Sequence, residues 1–176
     1  MAHLKHTTWH RQRGLTLVEL MVTIAVIAIL ATAAVSTMSN MRAKQQVIAA
    51  AEEILSKAQR AKSLARKKSE DFDLTVDDKT AVELIQIKDA SGKEWDKVDI
   101  SSTHSKVTVT STHETFGFGF VRGTITAGSA TISNDSDAYI ESGIAANGFK
   151  AKVIFSGQGR IRICSVEGLS GRYDDC

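Results

Sequence analysis

Proline is absent from this 176-residue chain, so no helix in it is expected to carry a proline kink. Cysteine is nearly absent: Cys164 and Cys176 stand near the C-terminus with eleven residues between them, and there are no others. If the chain leaves the cytoplasm, two thiols so placed read as one disulfide. Excess charge is also missing. The formal net charge is +2, and Lys5, Arg11 and Arg13 precede residue 15; removing those three of the 22 basic residues leaves 19 against 20 acidic ones. Near-neutrality excludes a binder of polyanions steered by overall charge, and any attraction for nucleic acid must come from a local patch. The length allows one domain of ordinary size with an appended element and excludes two domains with cores of their own.

What is present begins with RQRGLTLVELMVTIAVIAILATAAV, residues 11–35. From Leu15 to Val35 there are 21 residues whose only charge is Glu19. At about 1.5 Å per residue they span roughly 30 Å, the hydrocarbon thickness of a bilayer, and so read as a transmembrane helix. Lys5, Arg11 and Arg13 keep the preceding flank cytoplasmic by the positive-inside rule. The competing reading is a cleaved signal peptide with Ala31, Thr32, Ala33 and Ala34 as its small-residue site. Glu19 argues against it, because an acid inside an apolar helix costs about 2.5 to 3.5 kcal/mol at the centre, though less near the end. An intramembrane acid is functional by default.

The basic leader, Gly14, the run Leu15, Thr16, Leu17, Val18 and Glu19, and the unbroken apolar helix together resemble the class III signal of type IV pilins and type II secretion pseudopilins. The resemblance implies a prepilin peptidase that cuts on the cytoplasmic side between Gly14 and Leu15, removing residues 1–14. It also implies a role for Glu19, which becomes the fifth mature residue. The new N-terminal amine, usually methylated in the family, stays cationic and pairs with this carboxylate in the apolar filament core, where an unpaired acid would be strongly destabilising. Many major pilins carry a proline within the mature helix, and this chain departs from them in having none.

The helix is expected to continue amphipathically over residues 36–68, which contain neither Gly nor Pro and are rich in good helix formers. Met41, Ile48, Ala51, Leu55, Ala58 and Ala65 recur at helical spacing and should pack on a sheet. Arg42, Lys57, Arg60 and the run Arg66, Lys67, Lys68 fall on the opposite face, and the run reads as a solvated helix end favoured by the dipole. From residue 69 the texture is that of short strands: Ala81 to Ile87, Lys106 to Thr110, Thr115 to Val121, Thr124 to Ile132, Phe149 to Phe155 and Arg160 to Cys164. Val107 and Val109 alternate with Lys106 and Thr108, and Ile161 and Ile163 with Arg160 and Arg162, which fits antiparallel strands with one buried face. The acidic segments Asp71 to Asp78 and Asn134 to Asp137 read as surface loops.

The expected fold is α+β: a leader at 1–14, a transmembrane helix at 15–35, its continuation at 36–68 and a periplasmic antiparallel β-domain at 69–176. This order is similar to the FimT and GspH branch of minor pilins and pseudopilins. The likeness extends to Phe116, Gly117 and Phe118 before Gly123 and Ile125, and to the late strands Val153 to Phe155 and Gly159 to Ile163.

No nucleophile here has a base and an orienting partner in its pattern, so a non-enzyme is expected, without cofactor or metal. His104 and His113 have no Cys or carboxylate at ligand spacing and read as exposed residues of turns or strands. Phe116 to Phe120 lacks the G-x-G-x-x-G spacing and a following helix, so its glycines read as strand glycines. Between Ser142 and Val166, by contrast, there are four cations, Lys150, Lys152, Arg160 and Arg162, and no acid. Alternation puts Arg160 and Arg162 on one face of their strand, and Lys150 and Lys152 on one face of theirs. Arg172 lies between the cysteines, where a disulfide closing a loop of this size is worth about 3 kcal/mol in the chain-entropy picture. From spacing alone, cations that guard an edge strand explain these residues as well as an anion site does.

The stretch Gly159, Arg160, Ile161, Arg162 also resembles the G-R-x-R motif that contributes to DNA binding in the FimT subfamily. That likeness implies Arg160 and Arg162 gripping phosphates, with Lys150, Lys152 and Arg172 extending the patch. Duplex DNA would be held by its backbone, largely independently of sequence. Few aromatic residues adjoin these cations in sequence, so base stacking is not the expected mode. The implied partners are DNA, other major and minor pilins, the prepilin peptidase and the bacterial inner membrane, in which the chain sits before joining a pilus or pseudopilus. The alternative is a GspH-like pseudopilin or pilus-priming subunit with a structural role. A signal-anchored enzyme or adhesin would need an active centre or glycan pocket of which the sequence gives no sign.

Overall fold

The computed structural model describes residues 16–77, 83–132, 138–169 and 171–176, and leaves the side chains of 33–37 aside. Gly14 and Leu15, the cations Lys5, Arg11 and Arg13, and the loop expected at 134–137 lie outside the described residues. The chain divides into two units, one ending at Ser39 and one formed by Asn40–Cys176.

A 52-residue helix α1, Leu17–Lys68, runs through both. Thr16 caps its start, the hydroxyl accepting the Glu19 N–H at 3.2 Å. From Leu17 to Leu30 the large apolar side chains are exposed on every face of the helix, Leu17 at 75%, Val18 at 68% and Ile29 at 70%. Thr23 and Thr32 donate their hydroxyls to the carbonyls of Leu20 and Ile29, at 2.8 and 2.7 Å, and so need no outside partner. Among the described residues no helix is long and apolar enough to cross a membrane. The described side chains of the apolar run end at Thr32, about 24 Å of helix from Leu17.

In the second unit α1 buries a stripe of Ala43, Val47, Ile48, Ala50, Ala51, Ile54, Ala58, Ala61 and Ala65 in one core with two antiparallel sheets, which hold ten strands among the described residues. The helix ends where Ser69 takes a left-handed conformation, φ 57°. The first sheet has the order β3-β2-β1-β5-β6-β7, built from β1 Phe72–Asp77, β2 Leu84–Asp89, β3 Glu94–Asp99, β5 Thr115–Phe118, β6 Ile125–Ala127 and β7 Ala130–Thr131. The second has the order β10-β9-β8-β4, from β4 Thr108–Ser111, β8 Tyr139–Ile144, β9 Phe149–Phe155 and β10 Ile161–Glu167. A short helix α2, Ile100–Thr103, follows β3. The two sheets share one core: Phe155 of β9 stacks on Phe116 of β5 with ring centroids 4.4 Å apart, and Phe118 meets it edge-on at 6.4 Å.

The α+β architecture of a long helix on antiparallel strands is as expected, and Phe149 to Phe155 is β9 without change. Several expectations are corrected. The acidic segment Asp71 to Asp78 holds an interior strand, because Phe72, Leu74 and Val76 alternate inward while Asp73, Thr75 and Asp77 point away. The run Thr124 to Ile132 is split into β6 and β7 at Gly128, whose φ is 58°. Charged β3 and β8 are strands that the sequence reading passes over.

On α1, Met41 is 56% exposed and Leu55 only partly buried. Ile48, Ala51, Ala58 and Ala65 are buried as expected, and Ala43, Ala50 and Ala61 join them, alanines whose small size lets the backbone approach the sheets closely. Lys57 does not face solvent freely, since it and Arg60 both pair with Asp96 of β3, at 2.8 and 3.1 Å. His104 is not exposed either: its side chain is 12% accessible and its Nε2 lies 3.1 Å from Glu53 of α1.

Candidate nucleic-acid interface

The β9–β10 hairpin carries four of the five candidate cations. Its turn is closed by two backbone bonds, Ser156 N–H to Arg160 O at 2.9 Å and Gly159 N–H to Ser156 O at 2.8 Å. Gly159 takes φ +86° and packs against the carbonyl of Gly123 in the β5–β6 turn, leaving no room for a Cβ. Lys62 of α1 donates to the Gly159 carbonyl. The glycine that precedes Arg160 is thus a tertiary anchor. It holds the arginine where hairpin, neighbouring turn and helix meet.

Strand register then places the side chains. Ile161, Ile163 and Ser165 pair with Phe155, Val153 and Ala151 on the core side, so Arg162, Cys164, Lys152 and Lys150 share the outer side. Arg162 stands opposite Ile154, one position along from Lys152. Register thus puts Arg162 on the same side of the sheet as both lysines, and Arg160 is exposed at the turn.

The acid-free window of the sequence is not acid-free in space. Glu141 of β8 pairs in register with Lys152, and its carboxylate lies 3.8 Å from Lys150 Nζ and 3.7 Å from Lys152 Nζ. Glu167 lies opposite Lys150 across the bulge of β10. Acids from just outside the window thus lie against both lysines. Nor is the face without an aromatic: Tyr139 lies beside Ile154 on β8, and Lys152 Nζ sits 4.0 Å from its ring centroid.

Arg172 is turned elsewhere. Cys164 and Cys176 are bonded, Cα to Cα 5.1 Å. The tail runs along the free edge of β10, with Ser165 N–H donating to Asp174 O and Cys176 N–H to Ser165 O. This covers an edge that would otherwise invite another strand. From the tail, Arg172 Nη2 and Tyr173 Oη both donate to Glu52 Oε1 of α1, at 2.9 and 2.7 Å. The Arg172 and Tyr173 donors hold the Glu52 carboxyl below its ordinary pKa. Arg172 is thus paired with a helix carboxylate and is not grouped with the lysines.

The turn also gathers cations that the sequence reading sets apart. Arg122 directly precedes Gly123, and the guanidinium of Arg66 would stand 3.1 Å from a Cβ at Gly123. Arg66 reads from sequence as part of a solvated helix end. The useful signal is glycine: Gly123 and Gly159 each adjoin an arginine and touch one another.

Residues 9–35 match the family model of the prokaryotic N-terminal methylation motif. No curated protein and no solved structure matches the chain.

Proposed function

We propose that this type IV pilin-like protein, so placed by its methylation motif and by its long helix packed on antiparallel sheets, is a minor pilin that binds duplex DNA through the β9–β10 hairpin. Its role in this reading is to support DNA uptake in natural transformation. The motif implies processing by a prepilin peptidase and assembly with other pilins. Cleavage falls between Gly14 and Leu15, residues 15–35 anchor the chain in the inner membrane until assembly, and Glu19 pairs with the processed amine.

The observation that carries the DNA reading is the register that sets Arg162, Lys152 and Lys150 on one outer face, with Arg160 at its end. Phosphate contacts from so few cations give weak, salt-sensitive binding without sequence preference. Residues 40–176 contain the buried core of the described residues, from Ala43 to Leu169, so this unit holds the contacts it needs to fold alone. Titrated with duplex DNA at several salt concentrations, it should bind more weakly as Arg160→Gln/Arg162→Gln, with the salt slope reduced by about 2. Equal binding by the variant would remove these arginines from the site.

The pairing of Glu141 with both lysines and of Arg172 with Glu52 favours a second reading, a GspH-like subunit with a structural role. It expects no DNA affinity, and loss of filaments or secretion on deletion while DNA uptake otherwise stays intact.

A further inference from the structure

The basic cluster around the Gly123–Gly159 contact is built from three separate elements. Arg160 comes from the β9–β10 turn, Arg122 from the β5–β6 turn, and Lys62 and Arg66 from successive turns of α1. The parts are locked together. Gly159 packs on Gly123 O, Lys62 donates to Gly159 O, and Ile125 N–H donates to Gly157 O at 3.4 Å.

Arg66, Arg122 and Arg160 are all exposed. On the β5–β6 turn Asp71 Oδ1 accepts the Phe120 N–H at 3.1 Å. Burial, and then the charge of Arg66, lower the pKa of Lys62, as expected where like charges are crowded. Beside the turns, Lys62 and Arg66 also line an open cleft of about 400 Å³ on α1, with Gln59, Ser63 and Lys67.

We propose that Lys62, Arg66, Arg122 and Arg160 form a second phosphate subsite, through which a phosphodiester backbone held on the outer face of β9 and β10 passes over the paired turns onto α1. The inference rests on the DNA reading above and enlarges its footprint. Arg160 belongs to both parts, since by parity it continues the Arg162 face and by backbone it adjoins the Gly159 anchor. Lys62 is held by the Gly159 carbonyl and contributes mainly as fixed positive charge. Arg66 and Arg122 make the new phosphate contacts.

The test uses residues 40–176 and a short fluorescein-labelled duplex of arbitrary sequence, followed by anisotropy at several salt concentrations. Arg66→Gln/Arg122→Gln should lower affinity about tenfold at low salt and reduce the salt slope by about 2. The control Arg42→Gln/Lys106→Gln removes the same charge from exposed positions outside the cluster and should leave the slope nearly unchanged. Melting temperatures equal to that of the parent would show that the loss is not one of folding. If Arg160→Gln/Arg162→Gln weakens binding while Arg66→Gln/Arg122→Gln behaves like the control, the subsite is overturned and the DNA reading stands. Absence of binding by the parent unit would overturn both.

Discussion

The two stretches of α1 solve opposite problems with the same backbone. Residues 17–32 expose Leu, Ile, Val and Met side chains all round. Residues 43–65 bury a narrow stripe made mostly of alanine and expose charge on the remainder. A helix apolar on every face is stable only in surroundings as apolar as itself, whereas a striped one is satisfied by its own sheets. In the reading proposed above, the first stretch therefore depends on a bilayer or on neighbouring subunits. The second does not.

The largest effect that would sharpen this contrast is expected from Glu19→Ala. It leaves membrane insertion unimpaired, since it removes a charge from the apolar run, and it abolishes or strongly reduces recovery of the protein in sheared filaments. Normal incorporation would dissolve the idea that the first stretch is specified by assembly. A smaller effect separates the two stretches by packing. Ala58→Leu forces new methyl groups against the sheets and should destabilise residues 40–176 by about 1 to 3 kcal/mol, read as a lower melting temperature. Ala28→Leu, exposed in the first stretch, should leave the melting of the globular unit in the full chain unchanged. If both substitutions are silent, the alanine stripe is not a close contact.

The smallest effect is electrostatic and confined to the globular unit. Asp89 accepts from Ser91 through both its hydroxyl and its N–H, from the Trp95 indole and from Lys93 N–H, and Ser91 and Trp95 lead in holding its carboxyl down at about 2. A folded value below the unfolded one means stability that is present above about pH 4 and lost as pH falls toward 2. Between pH 6 and pH 3 the parent should therefore lose more stability to urea than Asp89→Asn does. Equal losses would show that the β2–β3 hairpin is not tied by this charge.

How much could be read in advance depended on whether the pattern was local. Ile161 and Ile163 against Arg162 announce a strand with one buried face, and the outer placement of Arg162 follows from that period of two. Phe72, Leu74 and Val76 show the same period, but the acids between them made the segment look like a loop; only a place inside the first sheet gives its apolar face a purpose. Ala51, Ala58 and Ala65 were legible as contacts from their helical spacing, whereas Ala43, Ala50 and Ala61 were legible only as helix, because alanine is a good helix former in any setting. Arg172 looked like part of the patch by nearness in sequence to Cys164 and Cys176, and its pairing with Glu52, far off in sequence, could not be read from that nearness.

The sequence by itself determined the N-terminal methylation motif, the apolar helix, the paired cysteines and the side of β10 on which Arg162 stands. Each depends on neighbours along the chain: a run, a spacing or an alternation. Only the tertiary structure decided the charge that the hairpin presents. Strand pairing brings Glu141 between Lys150 and Lys152, the contact of Gly123 with Gly159 brings Arg122 and Arg66 toward Arg160, and the tail carries Arg172 away to Glu52. Electrostatic potential adds over distance in space, and residues far apart in sequence set it.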